Sequence, residues 1–379
     1  MANFREYAYA IFRRLCHPLP VNPRKVVFCS YYGRGYSDSP KAIAEALLSS
    51  GEKRKLQWLV KTPEDAKELP QGVEPVPYDS FRRIYALSTA KIWVDNCRKG
   101  CRGKKKSQYY LQTWHGFALK RIEKDAESAL EPAYVQSCKN DSAQCDLIVS
   151  GSDFMTKLYQ NAFWYDGEVA AFGTPRNDVF FQNTDAVKQK VFAALGLKPT
   201  RRLLLYAPTF RVDHSTDAYK LDVENVLAAC EKRFGGCWTA LIRLHPNVAE
   251  QSKGLFAYDE TRVLDATRYP DMQELLLAAD LLITDYSSSM FDYALSGKPC
   301  LQFATDVEAY KTDRNFYFPI DSLPFPLADS NAALCREILA FDEEVYRKRW
   351  AAFYKEQGFC EDGQAAKRCA DWILQKMAE

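Results

Sequence analysis

Short apolar segments alternate with helix-length segments along most of this chain, and this alternation restricts the fold more than any other feature of the sequence. In the first half, the apolar segments include residues 25–30, 57–61 and 91–95. Strands that are separated by helices pair in parallel, so the pattern predicts an α/β fold. The alternation starts over at Arg202, after a stretch at 182–201 that is typical of an interdomain connection.

The size of the chain also indicates two domains. It has 379 residues, of which 47% are hydrophobic and 26% are charged. These fractions are those of a globular protein, and a domain usually contains roughly 100–200 residues. The net charge of +2 says little about partners, because the basic residues are concentrated locally.

A polar turn in the second half is a candidate binding site. An apolar run at Leu281–Ile283 leads into Thr284–Ser289, and apolar residues recur at helical spacing in Met290–Leu295, which predicts a strand, a turn and a helix. We call Thr284–Ser289 the serine turn. Its four serine and threonine hydroxyls lie where a helix begins, and the N–H groups and dipole of a helix start favour an anion. The alternative is that one serine only caps the helix.

Two other strand ends in the second half carry groups that suit a phosphate. Thr209 and Arg211 follow the predicted strand 202–206, and His245 follows the predicted strand 238–244. Because the ends of parallel strands line one edge of a sheet, we expect these residues to meet the serine turn. An arginine fork and helix-start N–H groups both match phosphate oxygens, so the sequence predicts a diphosphate clamp.

A histidine follows a predicted strand in the first half. His115 and Gly116 lie on the turn after residues 109–114, where a side chain can point into a cleft and a glycine lets the backbone approach a ligand. His115 is therefore a candidate general base. The alternative is a histidine that is hydrogen-bonded within a loop.

The sequence disfavours several other kinds of site. The 12 cysteines are scattered through the chain, which favours reduced thiols. Cys97 and Cys101 have no second pair of ligands nearby, so we predict no metal site. No apolar run reaches the roughly 18 residues that a membrane span needs. Without a Walker loop, a nucleophile elbow or a full dinucleotide fingerprint, we predict group transfer from a phosphorylated donor, with no cofactor.

Two surface features leave alternatives open. Residues 7–15 mix aromatic side chains with arginines, which suits a helix on a membrane surface as well as an ordinary docked helix. The loop Arg98–Lys106 could bind a phosphate-rich acceptor or anionic lipid, or it could be a solvated face. Its cations are Arg98, Lys99, Arg102, Lys104, Lys105 and Lys106.

Five motifs occur in order along the chain. They are Thr113-Trp-His-Gly, Pro175-Arg-Asn-Asp, Tyr206-Ala-Pro-Thr-Phe-Arg, His245-Pro and Thr284-Asp-Tyr-Ser-Ser-Ser-Met-Phe-Asp. Together they resemble the CDP-glycerol glycerophosphotransferase family, which includes teichoic acid primases and polymerases and their capsule-polymer relatives. Their order and spacing match the family across roughly residues 25 to 320. Ser37-Asp-Ser-Pro-Lys-Ala-Ile and Lys298-Pro are similar as well.

The resemblance implies a GT-B fold, in which two Rossmann-like domains face each other across a cleft. The acceptor-side domain would cover residues 1–185, including a basic and aromatic N-terminal helix. The domain that binds the CDP donor would cover 186–345. Helices in 346–379 would pack back on the first domain. The chain is shorter than the large polymerases, which favours a primase, a single-addition transferase or a catalytic domain.

The resemblance also implies a reaction. An acceptor hydroxyl attacks the β-phosphate of CDP-glycerol or another CDP-alditol, and CMP leaves. His115 would be the base, His245 would act in catalysis and donor binding, and Asp292 would hold the ribose or orient the turn. The donor contacts would be Thr209, Arg211, His245, Asp285, Ser287, Ser288, Ser289 and Asp292. The acceptor or cleft candidates are Trp114, Gly116, Lys120, Arg176, Asn177 and Asp178.

The predicted partners and location follow from this reaction. The acceptor would be lipid-linked or polymeric and would contain phosphate, with no nucleic acid involved. We expect a cytoplasmic protein at the inner face of the membrane. Phe117 departs from the family, which has Thr-Pro-Leu where this chain has Phe-Ala-Leu, so the acceptor pocket could differ. The alternatives are a GT-B glycosyltransferase that uses a nucleotide sugar and a non-catalytic protein that binds polyanions.

Overall fold

The computed structural model of the protein describes most of the chain. The described residues are 2–51, 53–99, 103–182, 184–209, 211, 219–244, 254–259, 261–307 and 316–379. None of the helices in these ranges combines the length and the apolar character needed to cross a membrane.

Strands and helices alternate through the described residues. The strands are β1 (Asn22–Cys29), β2 (Lys55–Val60), β3 (Val73–Pro77), β4 (Ala90–Asp95), β5 (Tyr109–Gln112), β6 (Leu147–Val149), β7 (Glu168–Ala170), β8 (Arg201–Tyr206), β9 (Cys237–Ile242), β10 (Val263–Asp265), β11 (Leu281–Thr284), β12 (Cys300–Phe303) and β13 (Leu327–Ala328). The α-helices are α1 (Ala2–Cys16), α2 (Asp38–Ser49), α3 (Pro63–Lys67), α4 (Phe81–Thr89), α5 (Pro132–Ser142), α6 (Asp153–Ala162), α7 (Thr184–Ala194), α8 (Val223–Phe234), α9 (Met272–Ala278), α10 (Ser289–Ala294), α11 (Asn331–Leu339), α12 (Glu343–Glu356) and α13 (Ala365–Ala378). Short 3-10 helices occupy Glu123–Ala129, Pro175–Phe181 and Ile320–Ser322.

The chain divides into two compact units. The first contains Met1–His115, Ile122–Asp178 and Phe359–Glu379, and the second contains Gly116–Arg121 and Val179–Gly358. The last two helices therefore belong to different units, because α12 lies in the second unit and α13 in the first. Our sequence-based limits differ from this division, since they fall after residues 185 and 345.

The first unit is built on a parallel sheet with the strand order β3-β2-β1-β4-β5-β6-β7. Residues 25–29 of β1 are buried, which is typical of a central strand covered on both faces. On one face, Phe28 stacks on Trp58 of β2 at 5.7 Å between ring centroids, and α2 and α13 contribute Ile43 and Ile373 to the same core.

The second unit repeats this plan with the order β10-β9-β8-β11-β12-β13, again with parallel neighbours. Leu203–Leu205 of β8 and Leu281–Ile283 of β11 are fully buried at its centre. The predicted α/β class with parallel sheets is confirmed in both units.

The first turn of α13 is capped from a distant part of the chain. The carboxylate of Asp178 accepts hydrogen bonds from the backbone N–H groups of Ala365 and Ala366, at 3.1 and 2.8 Å. Asp178 is buried, and this burial raises the pKa of its carboxyl. We predicted Asp178 as an acceptor or cleft contact; in this structure its carboxylate caps α13.

The loop Arg98–Lys106 differs from the predicted basic surface. Arg98 and Lys99 are buried and pair with Glu123 and Asp95, each at 2.7 Å. Its other described contacts also use groups of the chain itself: Lys104 pairs with Asp146, and Lys105 donates to the backbone oxygens of Leu19 and Ser88. Arg102 lies outside the described residues. Three of the six cations, Arg98, Lys99 and Lys104, are therefore paired with carboxylates of the fold, and Lys105 is held by backbone oxygens.

Candidate functional site

His115 lies near the point where the strand order of the first sheet reverses. From β1 the sheet continues through β2 to β3, and from its neighbour β4 it continues in the other direction to β7. Ligands of parallel α/β sheets bind beyond the strand ends at such a switch point. Tyr31 follows β1, Asn96 follows β4 and His115 follows β5, and the three residues contact or approach one another here.

A hydrogen bond to the backbone fixes the tautomer of His115. Its Nδ1 atom lies 2.8 Å from the carbonyl oxygen of Asn96. A carbonyl can only accept, so Nδ1 carries the proton and Nε2 is an unprotonated acceptor in the neutral ring. Asn96 is itself buried, and its side-chain oxygen accepts the N–H of Tyr31 at 2.9 Å. The carbonyl that orients His115 is therefore held in place.

The surroundings of His115 favour the neutral ring. Burial lowers the pKa of His115 below its ordinary value of 6.5, and the positive charge of Arg176 acts in the same direction. The hydrogen bond to Asn96 and the negative charge of Asp38 oppose this effect. The ring stacks on Trp114 at 4.2 Å. A neutral imidazole with a free acceptor nitrogen is the form that a general base requires.

The indole of Trp114 stacks against the His115 ring and is itself buried. Its backbone has φ +52°, in the left-handed region that residues other than glycine seldom adopt, and its N–H donates to the side chain of Gln112 at 2.9 Å. The indole packs edge to face against Phe163 at 4.8 Å. We predicted Trp114 as an acceptor or cleft contact; in this structure its contacts hold the turn that carries His115.

A buried ion pair lies close to His115 and was not predicted. Arg176 Nη1 contacts Asp38 Oδ2 at 2.8 Å, and the backbone N–H of Arg176 donates to Ser39 Oγ at 3.3 Å. Arg176 and its neighbour Asn177 are 8% and 3% exposed. Arg176 therefore contacts a carboxylate of its own chain, and its role as an acceptor or cleft contact stays a prediction.

The serine turn occupies the corresponding switch point of the second sheet. The strand order reverses between β8 and β11, and Thr209 lies beyond the first of them. Its N–H donates to Asp285 Oδ1 at 2.7 Å, while Thr284 Oγ1 donates to the oxygen of Ala207 at 2.7 Å. The structure thus brings Thr209 and the serine turn together, as strand ends of one parallel sheet predict.

Arg211 contacts two carboxylates. Its Nε and Nη2 atoms contact both oxygens of Asp306 at 2.7 and 3.0 Å, and Nη2 also contacts Asp285 at 2.8 Å. The side chain is buried. The fork that we predicted for a phosphate is therefore engaged by Asp306 and Asp285 in this structure. Because Asp285 belongs to the serine turn, its contact with Arg211 holds this turn in place. Asp306 was missed because β12, the strand before it, was not predicted.

The serines of the turn are more accessible than its acidic residue. Ser287 and Ser288 are half-buried. Ser287 Oγ accepts from Ser289 Oγ at 2.9 Å and from the Ser289 N–H at 3.3 Å, whereas Ser288 stands at the N-cap of α10 without a capping hydrogen bond. Since α10 has six residues, its dipole contributes little to anion binding. The predicted anion contacts are therefore the serine hydroxyls.

The remaining predicted residues have different surroundings. Asp292 is buried and accepts a hydrogen bond from Gln273 at 3.4 Å, which suits an orienting role better than a contact with ribose. Lys120 forms an isolated backbone bridge with Phe316, and Gly116 has φ +124°. His245 lies outside the described residues.

The residue after Gly116 is anchored by aromatic packing. Phe117 is buried and lies 4.5 Å from Phe291 of α10, 5.8 Å from Phe318 and 6.1 Å from Phe353, measured between ring centroids. The segment Gly116–Arg121 is thereby packed against the helix that begins at the serine turn. In the described part of the chain, no three metal-ligating side chains are grouped so that they could hold an ion.

Comparison with known proteins identifies relatives of the whole chain. Residues 10–375 match the family described as CDP-Glycerol:Poly(glycerophosphate) glycerophosphotransferase. The teichoic acid poly(glycerol phosphate) polymerase of Staphylococcus epidermidis is 32% identical over 95% of this chain and 52% of its own length. The teichoic acid glycerol-phosphate transferase of Staphylococcus aureus is 30% identical over 97% of this chain and 96% of its own length.

A solved structure agrees with these sequence matches. A variant of the wall teichoic acid polymerase TagF, soaked with CDPG, superposes with a TM-score of 0.85 at 29% identity, covering 99% of this chain and 94% of that chain. The predicted GT-B fold is confirmed by this similarity. The chain spans about half the length of the first two polymerases that it matches, 52% and 49%.

Proposed function

Because the chain belongs to the CDP-glycerol:poly(glycerophosphate) glycerophosphotransferase family, we propose that it transfers glycerol phosphate from CDP-glycerol to a hydroxyl of a teichoic-acid-like polymer. The acceptor is lipid-linked or polymeric and contains phosphate. Support comes from the names of the relatives and from the CDPG soaked into TagF. Capsular polymers and other CDP-alditols are included in the proposal.

In the proposed reaction, His115 acts as the general base. Its Nε2 atom takes the proton of the acceptor hydroxyl, and the hydroxyl oxygen attacks the β-phosphorus of the donor. The bond from that phosphorus to the bridging oxygen breaks, and the electron pair leaves with CMP. A new phosphodiester joins glycerol phosphate to the acceptor. The observation that carries this proposal is the Nδ1 hydrogen bond to Asn96, which leaves Nε2 as an acceptor.

We assign the donor diphosphate to the second unit. The hydroxyls of Ser287 and Ser288 and the imidazole of His245 are the proposed direct contacts. Arg211 and Asp285 hold the turn in position through their buried pair. Phosphoryl transfer depends mainly on alignment and charge stabilisation, so a turn that is held in place by a buried ion pair suits this role. Asp292 and Lys120 stay predicted contributors, to turn orientation and acceptor binding respectively.

Release of the nucleotide tests the reaction directly. The protein is incubated with CDP-glycerol, CDP-ribitol or a UDP-sugar, each with lipid-linked and soluble polymer acceptors. We expect CMP from a CDP-alditol in the presence of acceptor, and no UDP from the UDP-sugar. Release of UDP together with glycosylated product would support the glycosyltransferase alternative instead. The comparison of CDP-glycerol with CDP-ribitol identifies the alditol.

We further propose that the protein works at the inner face of the cytoplasmic membrane, bound through a surface formed by α1 and α4. Tyr9 and Phe12 of α1 pack against Phe81 of α4, each at 5.0 Å. Of the eleven large hydrophobic side chains that are exposed among the described residues, five belong to these two helices. They are Tyr7, Ile11, Leu15, Phe81 and Tyr85.

The charges of this α1–α4 surface match anionic lipid. The two helices contain five arginines and one glutamate, and Tyr7, Ile11 and Leu15 recur every four residues, so they share one face of α1. Basic and aromatic side chains on an exposed amphipathic face favour anionic membranes. The proposed contact no longer includes the loop Arg98–Lys106, whose described cations are mostly paired within the fold.

Co-sedimentation with vesicles tests this contact. With vesicles that contain phosphatidylglycerol, the Tyr7→Asp/Leu15→Asp double variant should bind at least about tenfold more weakly, because two charges enter the apolar face. The control Tyr134→Asp changes an exposed tyrosine of α5 and should bind normally. Equal binding of all three proteins would exclude this surface, and CMP release with a soluble acceptor would show that the double variant is folded.

A further inference from the structure

We propose that Asp38 and Arg176 are positioning residues whose paired charges set the protonation of His115. This inference rests on the proposed role of His115 as the base. The pair itself is part of a buried network. Asp38 Oδ2 accepts hydrogen bonds from Arg176 at 2.8 Å and from the hydroxyl of Tyr31, and Asp38 Oδ1 accepts the N–H of Ser39 at 2.6 Å.

The network lies within reach of the imidazole. The ring of Tyr31 is 6.1 Å from the ring of His115, and the backbone N–H of the same tyrosine holds the side chain of Asn96. The backbone carbonyl oxygen of Asn96 in turn accepts a hydrogen bond from His115 Nδ1. One residue, Tyr31, therefore links the Asp38–Arg176 pair to the group that orients the base.

The backbone around this network is strained. Tyr31, Tyr32 and Asp38 have φ values of +44°, +60° and +65°, in the left-handed region that costs non-glycine residues about 1–3 kcal/mol each. Such strain persists only where the surrounding contacts fix it, and it is frequent at functional sites. Asp38, one of the three residues, contacts both Arg176 and Tyr31. This cost is consistent with a functional role for the carboxylate beside His115.

The two charges act on His115 in opposite directions. A negative charge stabilises the imidazolium and a positive charge destabilises it, so the intact pair leaves a small net effect. The other ionisable groups around the ring are either paired with an opposite charge or uncharged. Glu123 is paired with Arg98 at 2.7 Å, and burial raises the pKa of the Cys97 thiol, whose Sγ lies 4.0 Å from Nδ1. The hydroxyl of Tyr31 is likewise neutral, because burial raises its pKa.

Removal of one partner exposes the charge of the other. Asp38→Asn removes the negative charge that favours the imidazolium, so the pKa of His115 should fall by about one unit. Arg176→Gln leaves the carboxylate unpaired, so the pKa of His115 should rise by about one unit. The double variant removes both charges and should return the pKa toward that of the wild type. A purely structural role for the pair would not produce shifts of opposite sign.

NMR titration of the histidine ring measures these shifts without turnover. The full chain contains four histidines, so selective labelling gives few signals, and His115→Ala assigns the relevant one. Arg176→Lys keeps the charge and should leave the pKa of His115 unchanged. Arg368→Gln is a control in the same unit, where the arginine pairs with exposed Asp362. If Asp38→Asn does not fold, the contrast between Arg176→Gln and Arg176→Lys decides the question.

Two failures can be told apart. Shifts of the same sign in both single variants, or no shift in either, would overturn the role of the pair while leaving the reaction untouched. Normal CMP release by His115→Ala would overturn its role as base, although the titration would still report how Asp38 and Arg176 affect the ring. If both proposals hold, the midpoint of the acid limb of kcat/KM shifts in each variant in the same direction as the pKa of His115 measured by NMR.

Discussion

At the scale of single residues, we expect the protonation state of His115 to determine how the rate of CMP release depends on pH. Nε2 can accept a proton only while the ring is neutral, and burial lowers the pKa of this ring below 6.5. We therefore expect kcat/KM for CDP-glycerol to rise with pH along an acid limb whose midpoint lies below 6.5. Stopped assays of CMP release between about pH 5 and 8 cover this range.

Two variants control this measurement. His115→Ala should lower kcat by about 100-fold or more, the usual contribution of a positioned base, and should lack the limb. His17→Ala changes an exposed histidine of the same unit and should retain both rate and limb. A midpoint at or above the ordinary histidine value would contradict the effect of burial on the active form.

Arg211 provides a second prediction at this scale, about stability. Arg211→Ala should lower the free energy of unfolding by about 3–5 kcal/mol, because it leaves the buried carboxylate of Asp285 without its cation. Arg262 pairs with Glu224 and Glu231 nearer the surface, so Arg262→Ala should cost about 0–1 kcal/mol. Urea denaturation followed by circular dichroism compares the two. Equal costs would argue against the bracing role of Arg211.

At the scale of elements, the cap of α13 shows how a distant side chain sets a helix start. Gln364 at the N-cap makes no side-chain capping bond, and Asp178 supplies two instead. Asp178→Ala should therefore cost about 0.5–2 kcal/mol and speed hydrogen exchange at Ala365 and Ala366. Asp371→Ala, in the exposed middle of α13, is the matched control. Unchanged exchange in the Asp178 variant would contradict the cap.

The same scale shows what the sequence alone could predict. The period of apolar segments identified the central strands of both sheets, because buried parallel strands are continuous apolar runs. It did not identify β3, which contains Pro75 and Pro77, β12, which has four residues, or β13, which has two. Short strands and strands that contain proline depend on pairing with a neighbour, and a local pattern does not record that pairing.

For the candidate site, the strand-end rule predicted that His115, Thr209 and the serine turn follow the ends of parallel strands, and the structure has them there. It could also have found Asn96, which directly follows the predicted strand 91–95. The Asp38–Arg176 contact could not be predicted in this way, because its partners are 138 residues apart. Nor did the sequence reveal that Arg211 would contact carboxylates, since the residue type alone does not show whether an arginine side chain is buried or exposed.

At the scale of the whole molecule, the proposed roles fall in different units. The proposed base His115 belongs to the first, and the proposed donor contacts Ser287 and Ser288 belong to the second. Changes to the base should therefore act mainly on kcat, whereas changes to the donor contacts should act on binding. Each unit has its own sheet and its own switch point, which makes this separation physically reasonable.

Thermal unfolding with and without CDP-glycerol tests the separation. A ligand at about 100 times its Kd stabilises the protein that binds it by about 2.7 kcal/mol. We expect a similar increase in Tm for the wild type and for His115→Ala, because the imidazole acts on the acceptor and does not hold the donor. Ser288→Ala should need a higher donor concentration for the same increase, since it loses a proposed diphosphate contact. Loss of the shift in His115→Ala would place that residue in donor binding, and the base would then have to be sought elsewhere in the first unit.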